Sequence, residues 1–219
     1  ARFYGTVVNL AIANDWMHKN PFAGIRFQEK EVIREVLTKE EIERMMCKEF
    51  ALPRLEYVRD VFIFCVFTGM AYVDVNNLRQ EHIVRDNNDD LWIRKARQKT
   101  NNMCNIPLLK IPQLLMEKYK NHPLCTKTGA LLPVPSNQKM NSYLKEIADF
   151  CGIQKNLTTH TARHTFATVV ALANGVSMEN IAKMLGHSDI RMTQRYAKVM
   201  DSSIMRDMEN VDKLFKSSE

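Results

Sequence analysis

Apolar residues recur every three or four positions along most of the chain, which is the spacing of one face of an α-helix. This pattern predicts helices over about residues 1–18, 38–50, 55–68, 72–78, 111–120, 137–151, 159–174, 178–185, 189–198 and 203–215. The flanking residues agree with these limits. Pro21 cannot continue the first helix, Thr38 begins a capping-box sequence, and Gly69 follows the third helix. Ser188 is predicted to cap the helix at 189–198.

The apolar period changes from that of a helix to that of a strand between residues 82 and 108. Three short runs, HIVRD, LWIRKAR and MCNIPL, are separated by the turn sequences NNDD and KTNN. This order predicts a three-stranded antiparallel meander. The expected fold class is therefore mainly α with a small three-stranded antiparallel sheet.

Composition narrows the classes of partner and compartment. The formal net charge of +6 favours a polyanionic partner, although many proteins are mildly basic without binding nucleic acid. The five cysteines are scattered and form no C-x-x-C pair, which is typical of reduced thiols in the cytosol. The longest apolar run, VFIFCVF, is far shorter than the roughly 20 residues of a membrane span. No signal-peptide pattern is present, and the opening at Ala1 inside an apolar-periodic stretch suggests the middle of a longer protein.

The sequence HTARHTFAT at residues 160–168 carries candidate chemistry. On a helix, His160, Arg163 and His164 share one face. Two histidines four apart are able to ligate zinc, but Thr161 stands where a zinc protease has its glutamate base. The arginine fork instead matches the paired oxygens of a phosphate. An isolated H-x-x-R is more often a solvated arginine beside a hydrogen-bonded histidine, so the motif alone does not decide.

A second sequence, MLGHSDIRMTQRYAKV, places His187 on a connector and Tyr196 nine residues later in the next helix. Each residue alone is ordinary, either as a loop histidine or as a half-buried aromatic. Together with H-x-x-R they form a set that resembles the C-terminal catalytic signature of the tyrosine recombinases, the phage integrase family. The residues of both motifs are most similar to those of integrases of conjugative transposons and related mobile elements.

The resemblance covers nearly the whole chain and implies a domain division. Residues 1–20 correspond to the last helix of an upstream core-binding domain, 21–37 to a linker, and 38–219 to the catalytic domain with its C-terminal helix; the sequence NPF at residues 20–22 matches the usual entry to that linker. The apolar positions of that last helix are expected to dock on a neighbouring protomer or to pack on their own domain. The sequence leaves both open.

Two further stretches match the family at Lys99 and Asp74, but one of them differs from the family motif at a single position. Lys99 matches the lysine of the family's β-hairpin, and Asp74 matches the acidic residue after its first turn motif. That motif normally reads T-G-x-R, but here Ala71 occupies the arginine position. Arg97 is the best-placed substitute, because residues i and i+2 of a strand share a face and Lys99 is two residues further on.

Two other arginines are weaker candidates for the missing guanidinium. Arg79 is expected at a helix end, and Arg94 on the opposite face of the strand. An ordinary solvated arginine is an equally good interpretation of Arg97.

The resemblance implies a role for each site residue. Tyr196 would attack a DNA phosphate and form a 3′-phosphotyrosine, and Arg163 and His187 would hold the phosphate oxygens. Lys99 would protonate the leaving 5′ oxygen, and His160 would be a base or a proton-positioning group. No metal and no cofactor are required.

The implied partners are double-stranded DNA attachment sites, further copies of the chain in a tetrameric synapse, and accessory DNA-bending proteins. The expected location is the bacterial cytoplasm, at the nucleoid and not at a membrane. Two other functions remain open. One is a DNA-binding protein of the same fold with weakened catalysis, favoured by Ala71, and the other is a zinc hydrolase, which Thr161 and Arg163 disfavour.

Overall fold

The computed structural model describes residues 2–25 and 35–197. The chain divides into two compact units, residues 1–33 and 34–219. In the first unit, helix α1 spans Arg2–Ala13 and is shorter than the sequence pattern predicts. It ends where Asp15 adopts a left-handed φ of 56°, while the side-chain amide of Asn14 donates to the carbonyl of Leu10.

The second unit confirms the predicted class, mainly α with one antiparallel sheet. Its helices are α2 Lys39–Cys47, α3 Pro53–Thr68, α4 Tyr72–Asn76, α5 Lys110–Tyr119, α6 Pro123–Thr128, α7 Asn137–Phe150, α8 Thr159–Thr165, α9 Met178–Leu185 and α10 Arg191–Ala197. The six-residue helix α6 and a 3-10 turn at Gln80–His82 were not predicted, because both are too short to show a helical period. The helix predicted at 203–215 lies outside the described residues.

The sheet is the predicted meander of strands β1 Ile83–Arg85, β2 Leu91–Ala96 and β3 Met103–Pro107, in the order β1-β2-β3. Both pairs are antiparallel, and Ile93 of β2 pairs with Ile83 on one side and Ile106 on the other. Ile93 and Ile106 are buried, which fixes the face that packs on the helices. The turn between β2 and β3 carries residues 97–102 at the edge of the sheet.

Helix α3 is the centre of the core and packs against α2, α5, α7 and α8. Side chains on all of its faces are buried, including Val58, Phe62 and Phe64. Burial on every face is typical of a central core helix. Its end at Gly69 confirms the predicted stop, since this residue has the left-handed φ of 67° that favours glycine.

We expect Gly69→Ala to destabilise the protein more than Gly152→Ala. A Cβ at Gly69 would overlap the ring of Phe166 and lie 2.7 Å from Leu185 Cδ2, whereas a Cβ at Gly152, with a φ of 61°, meets nothing within 4 Å. Both changes cost about 1–2 kcal/mol for the left-handed backbone. Gly69→Ala costs about 1–3 kcal/mol more for overpacking. Equal losses of unfolding free energy in denaturant titrations would contradict the packing at Gly69.

Two predicted helices differ in detail from the structure. The stretch 159–174 is helical, but α8 ends at Thr165 and continues as a π-helical turn, Phe166–Ala171, and a 3-10 turn, Leu172–Asn174. The hydroxyl of Thr168 donates to the carbonyl of His164, within this change of period. Helix α10 begins at Arg191, whose backbone amide donates to the carboxylate of Asp189.

None of the helices in residues 2–25 and 35–197 has both the length and the hydrophobicity of a transmembrane helix.

Candidate active site

Arg163 on α8 is buried and held by two helix ends. One Nη donates to the carbonyl of Gly69 and the other to the carbonyl of Leu185, each at 2.6 Å. These carbonyls end α3 and α9, where helices carry unsatisfied acceptors and partial negative charge. The helix ends therefore fix the guanidinium and offset part of the cost of burying its charge. Burial, and then the positive charge of Arg97, lower the pKa of Arg163.

His187 follows the glycine that ends α9 and contacts Arg163 directly. Its Nε2 lies 3.3 Å from an Nη of Arg163, and its Nδ1 lies 2.9 Å from Oγ1 of Thr193. Since the guanidinium only donates, Nε2 accepts, and the neutral ring then carries its proton on Nδ1 and donates it to Thr193. Burial lowers the pKa of His187 to about 4, and the charges of Arg163 and Arg97 act in the same direction.

We expect His187 to stay neutral well below pH 6.5 and to make stability fall with acid. Its folded pKa of about 4 lies below the unfolded value of about 6.5, so the unfolded chain binds this proton more tightly. The contribution to the free energy of unfolding is complete above about pH 6.5 and is lost as the pH falls through about 4. Denaturant unfolding across this window should have a shallower pH dependence in His187→Gln. An imidazole NMR titration with its midpoint near 6.5 would contradict the assignment.

Tyr196 on α10 is half-buried between two imidazole rings. Its ring is nearly parallel to that of His187, with centroids 6.4 Å apart and planes at 7°. Its ring also meets that of His164 at 5.4 Å with a tilt of 51°. Thr193, which bonds to His187, lies one turn earlier on the same helix. The structure therefore brings Arg163, His187 and Tyr196 together, although they come from three elements.

Arg97, directly after β2, joins this cluster. Its side chain is only 11% exposed, and its Nε lies 3.9 Å from a carboxylate oxygen of Asp74. That Nε is buried without a hydrogen-bond partner. The aliphatic part packs on Gly186, where an added Cβ would be 2.8 Å from Cδ of Arg97. The other oxygen of Asp74 accepts from the backbone amide of Gln98 at 2.9 Å, so Asp74 holds both the arginine and the start of the turn.

The other predicted cations are placed differently. Arg79 donates to the carbonyls of Asn76 and Leu78, so it is engaged at the end of α4. Arg94 is exposed on β2. Of the three arginines considered for the missing position, Arg97 is the one that lies in the cluster. Ala71 is the N-cap residue of α4, and its methyl side chain carries no positive charge.

Lys99 and His160 lie at the surface. Lys99 is exposed in the β2–β3 turn, and His160 is exposed in the first turn of α8. The described residues contain no group of three or more histidine, cysteine or acidic side chains arranged to hold a metal ion.

Three residues of the cluster had no assigned role at the level of sequence. These are Thr193, which bonds to His187, His164, which contacts Tyr196, and Cys104, whose sulfur would lie 2.7 Å from a Cβ at Gly186. His164 lies four residues after His160, one helical turn further on, so its spacing carried a signal. Burial raises the pKa of Cys104, which keeps this thiol in its neutral form.

Comparison with known proteins identifies the family to which the chain is similar. The model of the phage integrase family matches residues 35–203. The tyrosine recombinase XerD of Staphylococcus saprophyticus is 40% identical over 95 residues, which cover 43% of this chain and 31% of XerD. XerD of Staphylococcus aureus is 42% identical over 71 residues, or 32% of this chain and 24% of that protein. The chain therefore spans less than a third of the length of these curated relatives in the matched regions.

Solved structures share the fold at low sequence identity. The lambda integrase dimer bound to a COC′ core site has a TM-score of 0.66 and 19% identity, covering 86% of this chain and 68% of that chain. The Tn1549 transposon integrase in complex with a circular intermediate DNA has a TM-score of 0.65 and 18% identity, covering 92% and 74%. The fold is that of a tyrosine recombinase catalytic domain, as the resemblance implied. With most of its length matched by the family model, the chain belongs to the phage integrase family.

Proposed function

We propose that the protein is a site-specific DNA recombinase that cleaves and rejoins strands through a covalent 3′-phosphotyrosine. The observation that carries the proposal is the convergence of Tyr196 with the side chains of Arg163, His187 and Arg97. A tyrosine hydroxyl with an ordinary pKa near 10 is a weak nucleophile until its proton is taken. A cluster of fixed hydrogen-bond donors and cations is what stabilises the charge that develops on a phosphate under attack.

The proposed cleavage step balances without an external energy source. Oη of Tyr196 attacks the phosphorus, the bond to the 5′ oxygen breaks, and the leaving oxygen takes a proton. Lys99, exposed on the hairpin turn, is the proposed donor of that proton, and His160 is the proposed acceptor or positioning group for the tyrosine proton. The phosphotyrosine keeps a phosphodiester bond, so a second 5′ hydroxyl reverses the step without ATP.

His187 is suited to bind the phosphate in its neutral form. In the free protein its Nε2 accepts a hydrogen bond from Arg163, and its Nδ1–H donates one to the hydroxyl oxygen of Thr193. A hydroxyl also donates, so Thr193 equally supports the other tautomer. When a phosphate oxygen takes the hydrogen bond of Arg163, His187 presents an Nε2 proton to the same phosphate. This change needs no net protonation.

The domain division and partners are part of the same proposal. Residues 1–20 would end a core-binding domain, 21–37 would link it to a catalytic domain at 38–219, and four copies would assemble on DNA attachment sites. Accessory DNA-bending proteins would assist, at the bacterial nucleoid. The match to the Tn1549 transposon integrase supports a role in integration or excision of a mobile element.

A DNA-binding protein with weakened catalysis is the second candidate, and Ala71 favours it. Trapping a covalent complex of the full-length protein on a nicked suicide substrate separates the two candidates. The recombinase should give an SDS-resistant DNA adduct, also in excess EDTA, because its own side chains supply the positive charge. DNA binding without any adduct would favour the second candidate. Adduct formation that requires added Zn²⁺ or Mg²⁺ would overturn the proposed chemistry.

A further inference from the structure

His164 is the histidine of the HTARHTFAT motif to which the proposed reaction gives no role. It lies in the last turn of α8, directly after Arg163, and is half-buried. Its ring centroid is 5.4 Å from that of Tyr196, with an angle of 51° between the planes. Tilted ring pairs at about 4.5–7 Å are the favourable arrangement for aromatic side chains.

The backbone around His164 links this contact to the phosphate-binding group. Arg163 is fixed by the carbonyls of Gly69 and Leu185, so the adjacent residue is held at a defined distance from the guanidinium. The carbonyl of His164 accepts from the hydroxyl of Thr168, where the chain leaves its α-helical period. Adjacent residues of α8 therefore place the guanidinium of Arg163 and contact the ring of Tyr196.

The ring of Tyr196 needs such support because it rotates about two side-chain bonds. His187 stacks on it from the connector after α9, and His164 contacts it from α8. Two contacts from different elements restrict the ring more than one contact does. A misplacement of a reacting atom by about 1 Å is able to cost roughly 10²-fold in rate.

We propose that His164 is a positioning residue. Its ring packs against the ring of Tyr196 and holds the tyrosine hydroxyl in line with the phosphate that Arg163 binds. The inference rests on the proposed function and deepens it by assigning the remaining histidine of the motif. The proposed role belongs to the ring as a packing surface against the ring of Tyr196.

Three substitutions test the ring role in the full-length protein. His164→Ala and His164→Gln both remove the ring, and we expect single-turnover cleavage of a suicide substrate to fall by about 10- to 10²-fold. His164→Phe keeps an aromatic ring and should cleave within a few-fold of the wild type. DNA affinity should be unchanged in all three, because the loss lies in the chemical step.

A histidine–tyrosine contact elsewhere provides the control for stability. His122 packs against Tyr57 and Tyr119, with ring centroids 6.2 Å and 5.8 Å apart. His122→Ala should lower the melting temperature without slowing cleavage, which separates a stability effect from a positioning effect. Wild-type cleavage by His164→Ala, or retention by His164→Gln with loss in His164→Phe, would overturn the ring role. Absence of any adduct with the wild type would instead overturn the proposed function on which it rests.

Discussion

Tyr196→Phe is expected to form no covalent DNA complex while it folds and binds DNA like the wild type. The substitution removes a single oxygen atom, the proposed nucleophile. The phenyl ring retains the contacts with His187 and His164, so α10 should stay in place. The measurement is an SDS-resistant adduct on a suicide attachment-site substrate, with DNA affinity determined in parallel.

Tyr143→Phe is the matched control for that experiment. Tyr143 is a half-buried tyrosine on α7 whose ring lies 4.7 Å from the guanidinium carbon of Arg54. It should form the adduct at the wild-type rate. Adduct formation by Tyr196→Phe would remove Tyr196 from the nucleophile role, and loss of the adduct in Tyr143→Phe would point to a general defect in folding.

Arg97→Ala is expected to slow cleavage by about 10²-fold or more, with little change in DNA affinity. This is the usual loss for a donor that stabilises developing charge. Arg97 lies close enough to Arg163 and His187 that its charge lowers the pKa of both. Its buried Nε makes no hydrogen bond and lies 3.9 Å from a carboxylate oxygen of Asp74. Single-turnover cleavage by the variant, at saturating protein, is the measurement.

Arg94→Ala supplies the contrast, since Arg94 is an exposed arginine on β2, three residues before Arg97. An ordinary phosphate contact mainly weakens binding and reduces the salt dependence. We expect that behaviour, if any effect, from Arg94→Ala. Near wild-type cleavage by Arg97→Ala would make Arg97 a structural residue that packs on Gly186.

Adding Ala71→Arg to Arg97→Ala tests the substitution directly. Ala71 is the position at which the family motif has its arginine, and it is half-buried at the start of α4. If Arg97 supplies the missing guanidinium from another backbone position, the second change should recover part of the lost rate. No recovery in a stably folded double variant would separate Arg97 from the role of the absent arginine.

Asp74 is the structural reason why Arg97, in the turn after β2, is held in the cluster. It pairs with Arg97 and accepts from the backbone of Gln98, which ties the hairpin turn to α4. The family pattern already marked Asp74, but its contacts became visible only in three dimensions. The same turn carries Lys99, which is exposed. The hydrogen bond from Gln98 to Asp74 therefore fixes the backbone next to that lysine.

Local periodicity was a good guide to the elements that are long or clearly bounded. The meander follows from three strand-like runs separated by polar turns, and α3 ends at Gly69 as predicted. The capping box at Thr38 is present with both of its hydrogen bonds. The period did not predict the change after Thr165, where the chain passes from an α-helix to a π-helical turn.

The order and spacing of residue types determined the predicted fold class and carried the family resemblance, and the resemblance implied the set that contains Arg163, His187 and Tyr196. Only the tertiary structure decided how the set is held. Arg163 is anchored by Gly69 and Leu185, which are 94 and 22 residues away in sequence. The positions of Arg97 and His164 in the cluster were decided in the same way. Such contacts depend on how helix ends and a hairpin pack together, and no local period encodes the distance between them.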